Sequence, residues 1–474
     1  ATRTGFDGTV TSYEYDPNTN LETRRVEADG TADARTISTE WHAEWPLRIR
    51  IAEPKRITTR AYNGDAGVFC APSDATVPAT DGTLAPTPLL CSTSEQATTD
   101  TTGADGFSAS ADGAPRVWTY TYNRYGKVLT ADGPRSDVSD VWTYEYYAAD
   151  TTCPGDDEGT GMDKGCRGEL MRATDPEGLV TDYLKYNAHG QVLQMRAPNG
   201  VTTTYTYDLR QRLTGQQVGS LLTSFDYDPR GLLERVTPPD GAAIEYTYDD
   251  AHRLTDITRV ATGERIHYTL DNAGNHTAET VYDGQGVVAR QLERRFDALG
   301  RLWKEIRSIN GQSAETVFLH DEEDRLTQAT DPLAHATRWQ YNRLGHLSAE
   351  INALDETTAL TPDANGATTT VEAANGATTQ YTVDGFGQIT QEVSPDWGTT
   401  GYTYDAAGNL VSRTGANGYT EVRTYDAASR PQSIGYVSGT TSWREVDYEW
   451  NTLGQLTGLG NRSAYMAFEY DALG

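Results

Sequence analysis

A short pattern returns along this chain at nearly fixed intervals, and that periodicity restricts the fold more than any other feature. It is most complete at Tyr205-Thr206-Tyr207-Asp208, followed by Leu209-Arg210-Gln211-Arg212-Leu213. It comes back as Phe225-Asp226-Tyr227-Asp228 with Gly231-Leu232-Leu233, and as Tyr246-Thr247-Tyr248-Asp249 with Arg253-Leu254. Later copies are Asp271 with Gly274, Asp297 with Gly300, and Tyr402-Thr403-Tyr404-Asp405 with Gly408-Asn409-Leu410. The Asp or Asn of the unit falls at 187, 208, 228, 249, 271, 297, 321, 342, 363, 384, 405, 426, 451 and 471. Most neighbours are 20 to 22 residues apart, with three longer steps of 26, 24 and 25. Unrelated hairpins would not keep such spacing. A unit this small cannot bury its own apolar face, so neighbouring units must stack into one body.

The unit reads as a β-hairpin. Aromatic residues at i and i+2 share one face of a strand, and the Thr or Glu between them suits the other. Asp fits the first position of a type I turn, where its carboxylate accepts backbone N–H groups. Gly three residues later fits the left-handed position that ends such a turn with a bulge. A second turn lies half a period away, as Pro198-Asn199-Gly200, Pro239-Asp240-Gly241 and Asp396-Trp397-Gly398. No stretch predicts a helix. About 18 hairpins give roughly 36 strands, or a ribbon of about 170 Å at ~4.8 Å per strand. Open sheets rarely exceed about ten strands without curling. The expected result is a coiled wall whose turns cover one another's rims, which protects bare edges; a straight stack is the alternative.

Composition agrees with one strongly buried stripe and little else. Hydrophobic residues make up 37% and mean hydropathy is −0.62. Tyr, at 28, far exceeds Phe, at 8, as suits rings that stack while their hydroxyls reach water or a partner. The net charge of −29 disfavours nucleic acid and anionic membranes as partners. No apolar run approaches the ~20 residues of a membrane span. The chain starts at Ala1 and stops within a turn, which reads as a piece of a longer protein.

Two regions are expected: residues 1–114, with irregular repeats and a cysteine-containing insertion at about 66–115, and residues 115–474, with regular repeats. Cys70 and Cys91 lie in the first insertion; Cys153 and Cys166 lie in a second. Neither pair has zinc-ligand spacing. Local bridges Cys70–Cys91 and Cys153–Cys166 are the natural expectation, and would imply an oxidising destination; four unpaired thiols are the alternative.

The unit Tyr-x-Tyr-Asp-x-x-Gly-(Arg/Asn/Gln)-Leu, with Asp-Pro-x-Gly between copies as at Asp175-Pro176-Glu177-Gly178, resembles the Rhs or YD repeat. The resemblance covers most of residues 115–474 and, weakly, 1–65. It implies an all-β fold in which tandem hairpins make a long spiralling antiparallel sheet, part of a hollow shell. It also implies a function. Bacterial members commonly enclose a C-terminal toxin, and insecticidal toxin complexes and animal teneurins share the shell. The expected role is therefore a shell fragment that encapsulates a toxin domain and helps deliver it. The implied partners are that cargo, the rest of the shell and a secretion apparatus, in a secreted or cell-surface bacterial setting.

The residues themselves carry little chemistry. The eight histidines are dispersed, and His189, His252 and His346 occupy turns. There is no His-Glu-x-x-His, phosphate-binding loop or Gly-x-Ser-x-Gly. Asp156-Asp157-Glu158 near Asp163 reads as a solvated acidic loop rather than a calcium site. No catalytic residue, metal or cofactor is expected, and no enzymatic role. The competing reading is a cell-surface or wall-associated module that binds carbohydrate through exposed aromatics.

Overall fold

The computed structural model describes residues 1–78, 82–148, 166, 168–309, 312–461 and 463–471. Among these residues thirty-eight strands form one antiparallel ladder. Each pairs with the strand before and after it, from Thr2–Thr4 at one end to Tyr465–Ala467 at the other. The ladder is open, and the strand number is close to the 36 expected. Among the described residues only the short hairpin Thr76–Pro78 and Leu84–Pro86 stands apart from it. Helical structure among the described residues is one 3-10 turn, Gly106–Ser108.

The repeat makes its turn by local hydrogen bonds. The Asp208 N–H donates to the Arg212 carbonyl at 3.0 Å, and the Gln211 N–H donates back to the Asp208 carbonyl at 3.0 Å. The register slips at Thr206/Tyr207, the bulge that such a turn requires. Its left-handed residue is usually glycine, as at Gly231 (φ 100°) and Gly274 (φ 94°). The other rim repeats the device, with Gly200 N–H donating to Ala197 O at 2.8 Å.

The two faces differ. In Arg116–Tyr122, half-buried Arg116, Trp118, Tyr120 and Tyr122 alternate with exposed Val117, Thr119 and Thr121. The exposed face carries cross-strand hydroxyl pairs, such as Thr121 with Thr130 at 2.6 Å and Thr403 with Ser412 at 2.6 Å. The accessible surface is 26987 Å², whereas a compact protein of 51.8 kDa exposes about 17,000 Å². The excess means that the wall is one sheet thick, with water on both sides.

One expectation needs correction. The segment 66–115 is not wholly an excursion, because Leu90–Ala97 is a full strand of the wall. It pairs with Arg56–Tyr62 on one side and Arg116–Tyr122 on the other. It carries no aromatic-x-aromatic-Asp signature, so the repeat pattern passes over it. Cys91 in this strand bridges to Cys70 with Cα atoms 5.4 Å apart. Cys153 and the acidic run Asp156–Asp157–Glu158 lie outside the described residues; Cys166 is fully buried beside Tyr147 and Tyr186.

The ribbon returns on itself with a regular stride. Numbering strands along the ladder, Asp7 lies in the turn between strands 1 and 2, and its N–H meets Glu323 in the turn between strands 24 and 25. Lys55, between strands 5 and 6, meets Asp363, between strands 28 and 29. Glu177, between 11 and 12, accepts from the Ala427 N–H, between 34 and 35, at 2.6 Å. Each of these differences is 23 strands, and Arg343 with the Asp7 carbonyl and Arg135 with the Asp426 carbonyl are offset by 25, so a first-lap turn sits between two second-lap turns. One lap is therefore about 110 Å of ribbon at ~4.8 Å per strand, a ring about 35 Å across if circular.

Candidate functional site

The seam between laps is the feature that makes a ribbon into a wall, and it is built from turns. The Asp-x-x-Gly rim of the second lap rests on the opposite rim of the first. At its centre the Lys55 ammonium donates to Asp363 Oδ2 at 2.7 Å and to the Val383 carbonyl at 3.1 Å. Both charged side chains are largely buried, 14% and 11% exposed. Beside them Asn365 Nδ2 donates to the Pro54 carbonyl at 2.8 Å, and Arg35 Nη1 donates to the Ala364 carbonyl at 3.1 Å. The Arg343 N–H donates to Asp33 Oδ2 at 3.0 Å. Further along, the Arg116 guanidinium lies 3.7 Å from the Phe386 ring centre and donates to Gln388. Arg135, buried at 3% exposure, stands 3.5 Å from Asp405 Oδ2 and donates to the Asp426 carbonyl.

The approach is close enough to dictate a residue type. A Cβ on Gly385 would fall 2.1 Å from the Lys55 carbonyl oxygen. His346 also lies here, near Arg35 and Asp33 of the first lap. Burial and Arg35 hold its imidazole below the usual histidine range, and its Nδ1 has no hydrogen-bond partner.

Within each lap, three contacts recur, and they account for the repeat residues. The turn Asp accepts two backbone N–H groups on Oδ1, as Asp208 does from Arg210 at 2.8 Å and Arg212 at 3.0 Å. Asp228 accepts from Gly231 and Leu232, Asp271 from Ala273 and Asn275, Asp297 from Leu299 and Arg301. Its Oδ2 takes the residue four positions on: Arg253 Nε reaches Asp249 at 2.7 Å, and Asn409 Nδ2 reaches Asp405 at 2.9 Å. That same side chain then crosses to the next turn, with Arg253 Nη1 on the Asp271 carbonyl at 2.6 Å and Arg301 Nη1 on the Asp321 carbonyl at 2.8 Å. The rim is thus laced turn to turn.

The second tyrosine of each unit supplies the third contact. Tyr207 donates its hydroxyl to the Val192 carbonyl at 3.1 Å, Tyr227 to Leu213 at 2.9 Å, Tyr248 to Leu233 at 2.8 Å and Tyr404 to Ile389 at 2.8 Å. Each acceptor begins a strand of the preceding hairpin. The excess of Tyr over Phe follows, because the phenol is a tie between hairpins and does not simply reach water. Burial raises the Tyr207 and Tyr248 phenols above their ordinary value, so they remain donors. The first tyrosines behave differently: Tyr205 reaches Met195 Sδ at 3.4 Å, and Tyr402 reaches Glu392 at 2.9 Å. Tyr246 is half-buried on the same face. Gly300 and Gly408 hold left-handed turn positions, φ 79° and 93°.

Sequence reasoning placed the turn Asp and Gly but not the seam pairs, the Arg lacing or the phenol acceptors. The polar residue four after Asp was visible in the pattern and is the signal for the lacing. No three His, Cys, Asp or Glu side chains among the described residues are grouped to hold a metal. His42, His267 and His335 each face one Asp and lie far apart along the chain.

Comparison with known proteins gives the same picture. Residues 167–281 match the family model Teneurin YD-shell, and residues 320–357 and 404–441 match RHS Repeat. No curated protein sequence matches. Among solved structures, TcdB2-TccC3-Cdc42 superposes with a TM-score of 0.65 at 12% identity, over 95% of this chain and 26% of that one. TcdB2-TccC3-TEV superposes with a TM-score of 0.53 at 12% identity, over 99% of this chain and 32% of that one. The chain therefore spans about a quarter to a third of the proteins it resembles. Repeat models thus match three separate segments of the chain, and over nearly its whole length it shares the fold of the TcdB2-TccC3 structures.

Proposed function

We propose that this chain is part of a container wall that surrounds a toxin domain of the longer parent protein and helps deliver it. The supporting observation is the regular stride of 23 to 25 strands, which seals one lap against the next with buried ion pairs and backbone contacts. A wall sealed this way serves containment, since water lies on both faces and the turns exclude it only at the seam. The matched structures include Tc toxin shell proteins, which supports a toxin as the enclosed partner. The role assigned to the chain is structural, without a catalytic step, in a secreted or surface-exposed protein.

The test is protease protection in the longer parent. The C-terminal domain is expected to resist digestion while the wall is intact and to become susceptible when Lys55→Glu opens the seam. A C-terminal domain cut freely in the unaltered, folded parent would overturn the reading.

A further inference from the structure

The seam widens into a cleft at its first turn. Asp7 sits between the second-lap turns that carry Glu323 and Arg343, and beside it lies a space of about 560 Å³. The first-lap wall of this cleft is one sheet face. Arg3 faces Thr11 across one strand pair, and Tyr13 faces Arg25 across the next. Register and the two-residue period thus set Arg3, Thr11, Tyr13, Arg25 and Glu27 on the same side. The second lap brings Arg325 and Arg343 to the same space. Four guanidinium groups therefore line it with three carboxylates, Asp7, Glu27 and Glu323, on a chain whose net charge is −29.

The carboxylates are already engaged. Glu27 holds Arg25 at 2.8 Å and Arg35 at 2.5 Å. Glu323 accepts the Asp7 N–H and stands 3.4 Å from Arg325, whose Nε lies on Asp321 at 2.7 Å. Asp7 accepts the Thr9 N–H at 2.9 Å. That bond first, and the charges of Arg325 and Arg343 after it, hold the Asp7 carboxyl below the usual range against partial burial. The donors are in surplus. The Arg343 guanidinium gives one N–H to the Asp7 carbonyl at 3.1 Å and has no ion-pair partner among the described residues. Arg3 has no partner there at all, and the Thr11 and Tyr13 hydroxyls have no hydrogen bond.

We infer that this cleft binds a small multivalent oxyanion, held by Arg3 from the first lap and Arg343 from the second. A guanidinium presents paired N–H groups that match two oxygens of a phosphate or a carboxylate. Two of them, set on different laps, match a ligand with two such oxygen pairs, which a monovalent anion lacks. A nucleic acid would lay its further phosphates on a strongly acidic chain, so the ligand is small. The bound anion bridges the laps and fastens the first hairpin to the turns above it. This assignment goes beyond containment and does not depend on what the wall encloses.

The experiment titrates the 474-residue chain with sodium pyrophosphate and, separately, with sodium citrate by calorimetry at neutral pH, with ionic strength held constant by sodium chloride. At least one is expected to bind with Kd below about 1 mM. Arg3→Gln is expected to weaken that binding at least about tenfold. The melting temperature of this variant without anion should match that of the parent sequence, because Arg3 is exposed and unpaired. The bound anion should also slow hydrogen exchange at the Asp7 and Arg343 amides, which donate across the seam, and leave mid-strand amides unchanged. Binding of pyrophosphate alone assigns the site to phosphate groups, of citrate alone to polycarboxylates, and of both to the charge pattern they share. No saturable heat with either anion overturns the assignment. So does binding that Arg3→Gln leaves intact, or binding that leaves the two seam amides unprotected.

Discussion

Lys55 and Asp363 are separated by 308 residues, yet their charged groups meet at 2.7 Å with little access to water. Removing one partner leaves the other buried and unpaired. Lys55→Met or Asp363→Ala is expected to weaken the seam by roughly 3 kcal/mol. The loss is local, since the strand ladder on either side stays paired. Hydrogen exchange checks it: amides at Thr98 and Thr36, whose acceptors lie along the first-lap rim, should exchange faster while mid-strand amides do not. The exchanged pair Lys55→Asp with Asp363→Lys should recover part of the protection.

The phenol ties make a second measurable contribution. Tyr227→Phe removes one hydroxyl and keeps the ring, leaving the Leu213 carbonyl without its donor. The expected cost is about 1 kcal/mol. Tyr207, Tyr227 and Tyr248 tie successive hairpins, so the triple Phe variant should lose roughly 3 kcal/mol if repeats contribute as near neighbours. Denaturant midpoints with an unchanged slope would confirm it; a triple variant equal to the single one would refute it.

Turn chemistry gives the third. His252 sits at φ 65°, a left-handed position that sister units fill with glycine. His252→Gly should stabilise by about 0.5 kcal/mol, the relief of left-handed strain less the entropy of glycine. Gly231→Ala should do the reverse by about 1–2 kcal/mol. An added Cβ there would also press on Arg212 Nη1 at 3.1 Å. Thermal melting of both variants decides the sign.

Acid sensitivity should arrive in two stages. His346 has its imidazole held below the ordinary value of 6.5 in the folded chain, by burial and then Arg35. The unfolded chain therefore binds the proton first. The stability it contributes is present above 6.5 and is lost as pH falls from there through the lower folded value. The facing charges are Arg35, Asp363 and Asp33. His346→Gln should flatten that first stage in a plot of melting temperature against pH.

The turn carboxylates titrate later. Backbone N–H donors and the following arginine hold Asp208 and Asp249 below the ordinary 3.8, so their stabilisation is lost only as pH falls below that value. Asn fills the same place at 187, 342 and 451, so Asp208→Asn with Asp249→Asn should keep the turns at neutral pH and blunt the second stage. Melting curves between pH 7 and pH 2.5 read both.

The hairpins were legible because they depend on near neighbours. Tyr-Thr-Tyr-Asp specifies a face, a turn and a bulge within nine residues, and nothing distant overrides it. Leu90–Ala97 was not legible because its pairing is set by the strands on either side rather than by a motif of its own. The seam was hidden for another reason. Lys55, Arg35 and Arg135 belong to first-lap turns that lack the motif, and their partners come from more than 270 residues away. Gly385 lies ahead of the left-handed Gly387 of its turn, and nothing in the local pattern marks the Lys55 carbonyl that packs against it.

The strides of 23 and 25 are both odd, and that parity gives the wall a direction. Successive turns alternate between the two borders of the ribbon, so an odd count always brings unlike borders together. One mouth of the spiral is then fringed by acid-glycine corners and the other by the Pro/Asn-Gly kind. Gain or loss of a whole hairpin preserves this polarity, whereas a single strand would set like against like. The two-stranded unit is thus the smallest step by which such a barrel can change its girth.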